Sequence, residues 1–284
     1  MKILLTETNH NPETPILLTK AGHEVFIPKQ EIPNVHEFDR TALIQTIKDL
    51  QPDVLVVGLK FDINREVMES APLKAIFTRT TNITDHIDIY WAKEHGIDII
   101  NLKGEDLEDV TAVAEACLGA MIQLSRLDKS EIRGKTLGLW GYGRIAKHLE
   151  KYAKVHDMNI IAYDTKFRDT ENQSNAGLLD VLLESSDYIS LHASSTPENK
   201  EMVNYEHFKK MKQRPYFINS ARHWMTRGVF WALKEELIKG YWTDLPIDFE
   251  HPRAIIWSHS GSTLESSLKT EKIITEKIIA WSKS

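Results

Sequence analysis

The chain has 284 residues, 42% of them hydrophobic and 27% charged, which excludes an intrinsically disordered chain and allows two compact domains. The net charge of −6 and the lack of any lysine- and arginine-rich run argue against a nucleic-acid-binding protein. No segment approaches the roughly 18 apolar residues that a membrane span needs, so we expect no membrane partner.

In the first hundred residues, short apolar segments alternate with longer segments that have helical periodicity. Asn11 and Pro12 are typical of a helix start, with asparagine as the N-cap and proline as the first helical residue. This alternation predicts a parallel sheet with helices on both faces. The predicted strands are residues 3–5, 24–28, 53–58, 73–79 and 97–102, and the predicted helices are residues 12–21, 38–50 and 86–95.

A long helical segment, residues 107–127, comes next, and the charged residues 128–131 end it. Cys117, the only cysteine, lies in its apolar part, where we expect a buried core residue. The alternation then starts again, which indicates a second parallel-sheet domain and a hinge near residues 100–105. Its predicted strands are residues 136–141, 159–164, 188–193, 215–220, 241–244 and 254–257, and its predicted helices are residues 144–155, 176–185, 205–211 and 228–238. From periodicity alone, a last predicted helix, residues 263–281, could pack on either domain.

The strongest motif lies at residues 136–146, where a predicted strand ends in Gly141-Tyr142-Gly143 and a helix begins. Gly141 permits the tight turn, and Gly143 lets the backbone approach a pyrophosphate at the positive end of the helix. Alanine in the third position of this G-x-G-x-x-A pattern still allows the helix to pack closely on the strand. A tight turn that binds no ligand is the alternative interpretation.

Asp164 ends the next predicted strand, 21 residues after Gly143 (164 − 143). A carboxylate at this spacing accepts a hydrogen bond from the ribose 2′-hydroxyl of NAD and repels the 2′-phosphate of NADP. We therefore expect NAD as the cofactor. Lys166 and Arg168 follow closely and leave NADP open as the alternative.

From about Asp53 to Leu264, the chain resembles the D-isomer-specific 2-hydroxyacid dehydrogenases. Six segments match motifs of that family in the same order, namely residues 85–88 (DHID), 134–146 (GKTLGLWGYGRIA), 187–192 (DYISLH), 196–200 (TPENK), 217–222 (FINSAR) and 258–263 (SHSGST). The resemblance implies an oxidoreductase that transfers a hydride between NAD(H) and a small D-2-hydroxy acid or 2-keto acid.

The resemblance also implies the fold. We expect an α/β protein with two doubly wound parallel-sheet domains, in which a Rossmann NAD-binding domain is inserted in a flavodoxin-like substrate domain. Residues 1–102 are assigned to the substrate (lid) domain, 103–262 to the NAD-binding domain and 263–284 to a C-terminal helix that returns to the substrate domain. A homodimer through the cofactor domain and the long helix is expected by analogy with the family.

Arg222 and His259 correspond to the family's catalytic residues. Arg222 would bind the substrate carboxylate with its planar, permanently charged fork and polarise the keto oxygen. His259 would protonate the keto oxygen during reduction, since the ordinary pKa of an imidazole lies near neutral pH. The positions that the resemblance assigns to the cofactor are Gly141, Gly143, Arg144, Ile145, Asp164, Ser220, Ala221, Asp244 and Gly261.

The expected substrate loops depart from the family pattern. Asn82 and Ile83 lie where relatives have a Gly-x-Gly turn, so we expect a narrower pocket whose backbone amides still bind a carboxylate. Lys60 lies in a loop from which relatives reach the substrate, and a solvated surface lysine is the alternative interpretation. His223-Trp224 follows the arginine where the family usually has glycine.

The acid that supports the catalytic histidine in the family is displaced. Phe249 occupies its position, five residues after Asp244, and Asp248 and Glu250 flank it. We favour Glu250 for this role because its longer side chain reaches further. Asp248 is the second candidate, and two solvated loop charges are the alternative.

The sequence also allows a second function, as an alternative to a dehydrogenase. The displaced acid and the crowded pocket also suit a non-catalytic NAD(H)-binding sensor or scaffold on the same fold. A methyltransferase or another nucleotide-binding protein is disfavoured by Arg222 and His259 in their motifs. We expect no metal ion, and the apolar stretch after Met1 is too short for a secretory signal, which favours the cytoplasm.

Overall fold

A computed structural model describes residues 1–6, 11–28, 39–84, 86–167, 175–257 and 263–283. The chain divides into two compact units. Unit 1 contains Met1–Val110 and Leu264–Ser284, and unit 2 contains Thr111–Thr263. None of the helices in the described ranges is both long and apolar enough to span a bilayer.

Unit 1 is built on a parallel sheet of five strands in the order β2-β1-β3-β4-β5. The chain reverses its direction of travel between β1 and β3, which is the flavodoxin-like order. The strands are β1 (Lys2–Leu5), β2 (Glu24–Phe26), β3 (Val54–Val57), β4 (Ala75–Thr78) and β5 (Asp98–Asn101). The helices are α1 (Glu13–Lys20), α2 (Arg40–Leu50), α3 (Arg65–Met68), α4 (Ile89–Glu94) and, from the end of the chain, α10 (Leu264–Trp281).

The last helix, α10, completes unit 1. The hydroxyl oxygens of Thr275 on α10 and Thr14 on α1 lie 3.1 Å apart in the buried contact of the two helices. Glu271 is also buried, and its carboxylate lies 3.5 Å from the guanidinium of Arg79, just after β4. A buried charge needs such a partner, so this pair ties α10 to the sheet.

Unit 2 is built on a parallel sheet of six strands in the order β11-β10-β9-β8-β6-β7. The chain reverses between β6 and β8, and such a switch point is where open α/β sheets bind ligands. The strands are β6 (Thr136–Trp140), β7 (Asn159–Tyr163), β8 (Tyr188–Leu191), β9 (Tyr216–Asn219), β10 (Gly240–Thr243) and β11 (Ala254–Ile256). The helices are α5 (Ala112–Leu127), α6 (Arg144–Val155), α7 (Asn175–Ser185), α8 (Tyr205–Lys210) and α9 (Val229–Lys234).

The central strands explain the apolar pattern of the sequence. Every residue of β3, β4, β8, β9 and β10 is buried, because helices cover both faces of each sheet. In unit 2, Leu137 and Leu139 face the core beside α5 and α6, while Ile189 and Leu191 belong to the core on the other face. Each fully buried side chain of this kind contributes roughly 1.5–3 kcal/mol. The predicted α/β fold class with two doubly wound sheets is confirmed.

The helix predicted at residues 107–127 is interrupted. A short 3-10 helix covers Gly104–Leu107, and α5 begins only at Ala112. The Asp106 carboxylate accepts a hydrogen bond from the backbone of Lys103 at 2.6 Å, which closes the 3-10 turn. The chain then passes from one unit to the other between Val110 and Thr111, whereas the sequence placed the boundary between residues 102 and 103.

Three smaller differences have local causes. The helix predicted from residue 86 begins at Ile89, because the Asp88 side chain caps it by accepting from the backbone of Trp91 at 3.0 Å. Helix α9 ends at Lys234, and Glu236 takes a left-handed φ of 57° that turns the chain towards β10. Helix α3 is too short for its periodicity to be recognised.

Candidate active site

The glycine turn lies at the switch point of the unit 2 sheet. Gly141 has a φ of +90°, and a Cβ there would lie 2.5 Å from the backbone nitrogen of Ala193 after β8. Only glycine combines that conformation with such a close approach. The turn therefore lets the end of β6 lie against the segment that follows β8.

Gly143 meets a different requirement. It is the N-cap of α6, and no side chain caps the helix. A Cβ added at Gly143 would meet no atom of the described residues within 4 Å. The first amides of α6, including those of Arg144 and Ile145, thus lie at an uncapped, positive helix end beside open space, which fits a pyrophosphate.

Asp164 is held in place by the glycine turn itself. Its Oδ2 accepts a hydrogen bond from the backbone N–H of Tyr142 at 2.8 Å, and its Oδ1 accepts one from the backbone N–H of Lys166 at 2.9 Å. The carboxylate is half-buried at the end of β7, next to the strand that carries the turn. This placement fits the ribose of a dinucleotide whose pyrophosphate lies at α6.

Ser220 and His192 form a pair at the ends of β9 and β8. The Ser220 hydroxyl donates to the carbonyl of Leu191 at 3.1 Å and lies 2.8 Å from Nδ1 of His192. Burial lowers the pKa of His192 to about 3, so the imidazole is neutral at physiological pH. Its Nε2 is buried and has no hydrogen-bond partner among the described residues. Sequence reasoning quoted His192 only as part of a motif and missed its contact with Ser220.

Asp244 and Cys117 lie near this pair. Asp244 follows β10 and is buried, with 9% of its surface exposed. Cys117 on α5 is fully buried, and burial raises the pKa of its thiol to about 12. Hydrogen bonds to Ser220 and Ser190 oppose that rise, whereas the charge of Asp244 adds to it. The ends of β8, β9 and β10 and helix α5 therefore share one polar cluster at the carboxyl edge of the sheet.

Arg222 follows β9 in extended backbone with φ −142° and ψ 145°. The buried Asn219 fixes this turn on two sides. Its Nδ2 donates to the carbonyl of Arg222 at 3.1 Å, and its Oδ1 accepts from the backbone N–H of Ala221 at 3.0 Å. The partly exposed guanidinium donates from Nη1 to the carbonyl of Ala221 at 3.0 Å. Asn219 is thus a positioning residue that sequence reasoning passed over inside its motif.

Packing explains why Phe249 occupies the position at which the family has an acid. Phe249 is partly buried in the core, with its ring centroid 5.7 Å from that of Phe230. The neighbouring Asp248 and Glu250 are both exposed. A carboxylate at position 249 would lie in this aromatic contact, so any acid of this loop has to come from one of the two flanking positions.

The expected substrate loops belong to unit 1. Lys60 is exposed and holds its ammonium group 5.3 Å from the ring centroid of Phe61. The Asn82 carboxamide oxygen accepts from the backbone N–H and hydroxyl of Thr84, at 3.3 and 3.0 Å. Ile83 packs against the unit 1 core. The side chains of Asn82 and Ile83 thus stabilise the conformation of their own loop.

His259 and Gly261, the expected catalytic histidine and the glycine beside it, lie outside the described residues. Arg168, the residue that leaves NADP open, also lies outside them. Trp257, the last described residue before His259, packs at 5.5 Å from the ring of Trp242 and against Gly119.

A dinucleotide-dependent oxidoreductase is the class of protein that this arrangement defines. The turn at the switch point, the uncapped helix and the anchored carboxylate suit NAD, and an arginine at the same sheet edge suits an acidic substrate. The family model for the D-isomer specific 2-hydroxyacid dehydrogenase NAD binding domain matches residues 112–261. The chain belongs to the D-isomer-specific 2-hydroxyacid dehydrogenase family. It is an NAD-dependent enzyme acting on a small 2-hydroxy or 2-keto acid, as the sequence predicted.

Similar proteins cover most of the chain. Hydroxypyruvate reductase from Thermotoga maritima is 31% identical over 242 residues, which cover 78% of this chain and 77% of that protein. Glyoxylate reductase from Thermofilum pendens is 32% identical over 280 residues, covering 85% and 81%. The NAD⁺-bound 3-phosphoglycerate dehydrogenase of Entamoeba histolytica superposes with a TM-score of 0.84 at 26% identity, covering 100% of this chain and 96% of that one.

Proposed function

We propose that the protein reduces a two- or three-carbon 2-keto acid, such as glyoxylate or hydroxypyruvate, to the D-2-hydroxy acid. The position of Arg222 carries the proposal. It follows β9, two strands from the β6 turn, so the backbone at Arg222 and the cofactor turn lie at one edge of the sheet, roughly 10 Å apart across the strands. The named activities of the two reductases support the choice of substrate.

The residues divide the work as follows. Bound NADH supplies the hydride. The amides of Arg144 and Ile145 hold the pyrophosphate, and Asp164 holds the ribose. Ser220, Ala221, Asp244 and Gly261 line the nicotinamide end. Arg222 binds the substrate carboxylate and polarises the keto oxygen with its planar fork.

His259 delivers the proton to the keto oxygen during reduction and removes it from the hydroxyl in the reverse direction. Glu250, or else Asp248, supports the protonated imidazole in place of the acid that Phe249 displaces. The family resemblance also assigns Lys60 and the backbone at Asn82 and Ile83 to substrate binding. The family motifs and the fixed turn at Arg222 support this assignment.

Turnover and binding, measured side by side, test the proposal. NADH oxidation is followed with glyoxylate, hydroxypyruvate, pyruvate and 2-oxoglutarate, while NADH binding is followed by fluorescence. Arg222→Lys should lower kcat/KM by about 100-fold or more and leave NADH affinity within about twofold, because a lysine cannot form the bidentate fork. Arg227→Lys is the matched control, since Arg227 is exposed and ion-paired to Glu201 at 3.0 Å. NADH binding without turnover on any acid would favour the non-catalytic sensor.

We further propose a homodimer that works in the cytoplasm. Ile122 and Leu127 on α5 are 36% and 40% exposed, and Val155 on the adjoining α6 is 81% exposed. Apolar side chains on two packed helices suit a subunit interface. The single, buried cysteine supports a reducing compartment. Sedimentation equilibrium should give twice the chain mass, and Ile122→Glu should shift it towards the monomer.

A further inference from the structure

A cleft of about 450 Å³ lies at the amino-terminal edge of the unit 2 sheet. Lys239 and Arg253 line it directly before β10 and β11, and Arg214 lines it two residues before β9. Parallel strands all begin at the same edge, so this amino-edge cleft lies on the opposite side from the glycine turn. The length of a five-residue strand separates the two, roughly 15 Å.

Arg253 is fixed in the cleft by two partners. Its Nε donates to the carbonyl of Lys239, and its Nη2 donates to Oδ2 of Asp128 at 2.5 Å. Tyr216 donates its hydroxyl to the same oxygen. Partial burial opposes ionisation of Asp128, but the hydrogen bonds from Tyr216 and Arg253 outweigh it and lower the pKa of this carboxyl. Asp128 therefore stays charged and holds the guanidinium in place.

Arg214 is fixed in the same manner. Its Nε donates to the carbonyl of Glu236 at 2.7 Å, and its Nη2 donates to Oε2 of Glu236 at 2.8 Å. Both arginines thus use Nε and Nη2 to hold their orientation. For neither does Nη1 donate to an acceptor within the described ranges. Each guanidinium therefore keeps donors that no described residue accepts from.

Two lysines add charge to the cleft. Lys234 lies 4.9 Å from the ring centroid of Trp231, and Lys239 lies 6.0 Å from that of Tyr216. Neither ammonium group is ion-paired with a carboxylate of the described residues. With Arg214 and Arg253 they make four cations against two carboxylates, an excess of two positive charges in a chain whose net charge is −6.

We propose that the amino-edge cleft is a second ligand site, which binds a small dianion such as a phosphate ester or a dicarboxylate. Two preorientated guanidinium groups, and two ammonium groups that form no ion pair with a described carboxylate, are the donors that such an anion requires. The buried Leu233 and Ile238 provide an apolar part of the wall for its carbon skeleton. The site is separate from the cofactor and from Arg222, so its occupant is an effector and not a substrate.

Isothermal titration of the NADH-saturated Arg222→Gln variant tests this site. NADH blocks the cofactor's own pyrophosphate position, and the substitution removes the guanidinium that would bind a carboxylate in the substrate site. The probes are inorganic phosphate and malonate at constant ionic strength, and the tighter of the two identifies the source of the dianion. We expect one site per chain. Lys234→Ala with Lys239→Ala should weaken the affinity by about tenfold or more. Arg214→Gln, which removes one fixed fork, should weaken it as well.

The control is Lys209→Ala with Lys212→Ala. It changes the net charge equally, and these exposed lysines are ion-paired with Glu206 at 2.7 Å and Glu184 at 2.6 Å outside the cleft. It should leave the affinity unchanged within about twofold. Absence of saturable binding of either probe, or equal weakening by both double variants, would overturn the proposal.

Discussion

The backbone N–H of Tyr142 donates to the carboxylate of Asp164 at 2.8 Å. The residue at the centre of the glycine turn is thereby tied to the carboxylate that we propose selects the cofactor. The hydrogen bond of Asp164 holds the turn, and we propose that its charge has a second task, which is to repel a 2′-phosphate. Two substitutions separate these tasks.

Asp164→Asn should retain an acceptor for Tyr142 while it removes the charge. It gives up the acceptor for the backbone N–H of the exposed Lys166, which water can replace. We expect the preference for NADH over NADPH to fall by about tenfold, with little change in the temperature of unfolding. Asp164→Ala should reduce the preference similarly and also weaken NADH binding, since the turn loses its anchor. Paired titrations of each variant with NADH and NADPH measure the effect. Equal affinity of the unsubstituted protein for both cofactors would show that Asp164 does not select NADH over NADPH.

The two glycines of the turn should respond differently to the same change. Gly141→Ala places a Cβ 2.5 Å from the backbone of Ala193 at a φ of +90°, so we expect a loss of stability of about 2 kcal/mol or more. Gly143→Ala meets no atom of the described residues, so it should unfold at the normal temperature and bind NADH more weakly. Thermal unfolding and NADH titration on both variants decide the matter. If Gly143→Ala bound NADH normally, the pyrophosphate would not lie there.

Cys117 should be inert in the folded protein. Burial raises the pKa of its thiol from 9.0 to about 12, so no thiolate forms near neutral pH. We expect no reaction with a disulfide reagent at pH 8 until urea unfolds the chain. Because the folded pKa is the higher one, the contribution of this thiol to stability is complete below pH 9 and is lost as the pH rises towards 12. Cys117→Ala should flatten that part of the stability profile; rapid labelling of the native protein would contradict the burial.

Glu250 and Asp248 can be distinguished by pH. A carboxylate beside an imidazole stabilises its protonated form. If Glu250 has this role, Glu250→Gln should move the alkaline fall in the rate of keto-acid reduction to lower pH and reduce kcat by less than the ~10²–10⁴-fold cost of losing the acid itself. Asp248→Asn should then be nearly silent. The reverse pattern would transfer the role to Asp248, and two unchanged profiles would leave His259 unsupported.

Local signals account for the elements that the sequence predicts well. Helix α6 was predicted at its observed bounds, Arg144–Val155, because Gly143 marks its start and apolar periodicity marks its face. The segment 107–127 was predicted as a single helix because its apolar residues continue through it. The break between Leu107 and Ala112 depends on the hydrogen bond of Asp106 to Lys103 and on the passage of the chain from one unit to the other. Hydrophobic periodicity is sensitive to neither.

In the candidate site, too, features that local sequence marks could be predicted, and features that depend on the tertiary structure could not. Strand ends and family motifs mark Asp164 and Arg222 as candidate site residues in the sequence. The contact of His192 with Ser220 and the amino-edge cleft could not be predicted, because their members are distant in sequence and meet only through the order of the strands. Phe249 could be predicted in part. The sequence shows that phenylalanine occupies the position of the family's acid, and the structure adds that its ring packs on Phe230.

Reduction of hydroxypyruvate with NADH that carries deuterium at both C4 positions of the nicotinamide tests hydride transfer most directly. The two enantiomers of the product are separated by chiral chromatography, and their deuterium content is measured by mass spectrometry. We expect D-glycerate with one deuterium at C2, and an initial rate at least about 100-fold lower with Arg222→Lys. Unlabelled product, L-glycerate, or no product from a protein that binds NADH would contradict this expectation.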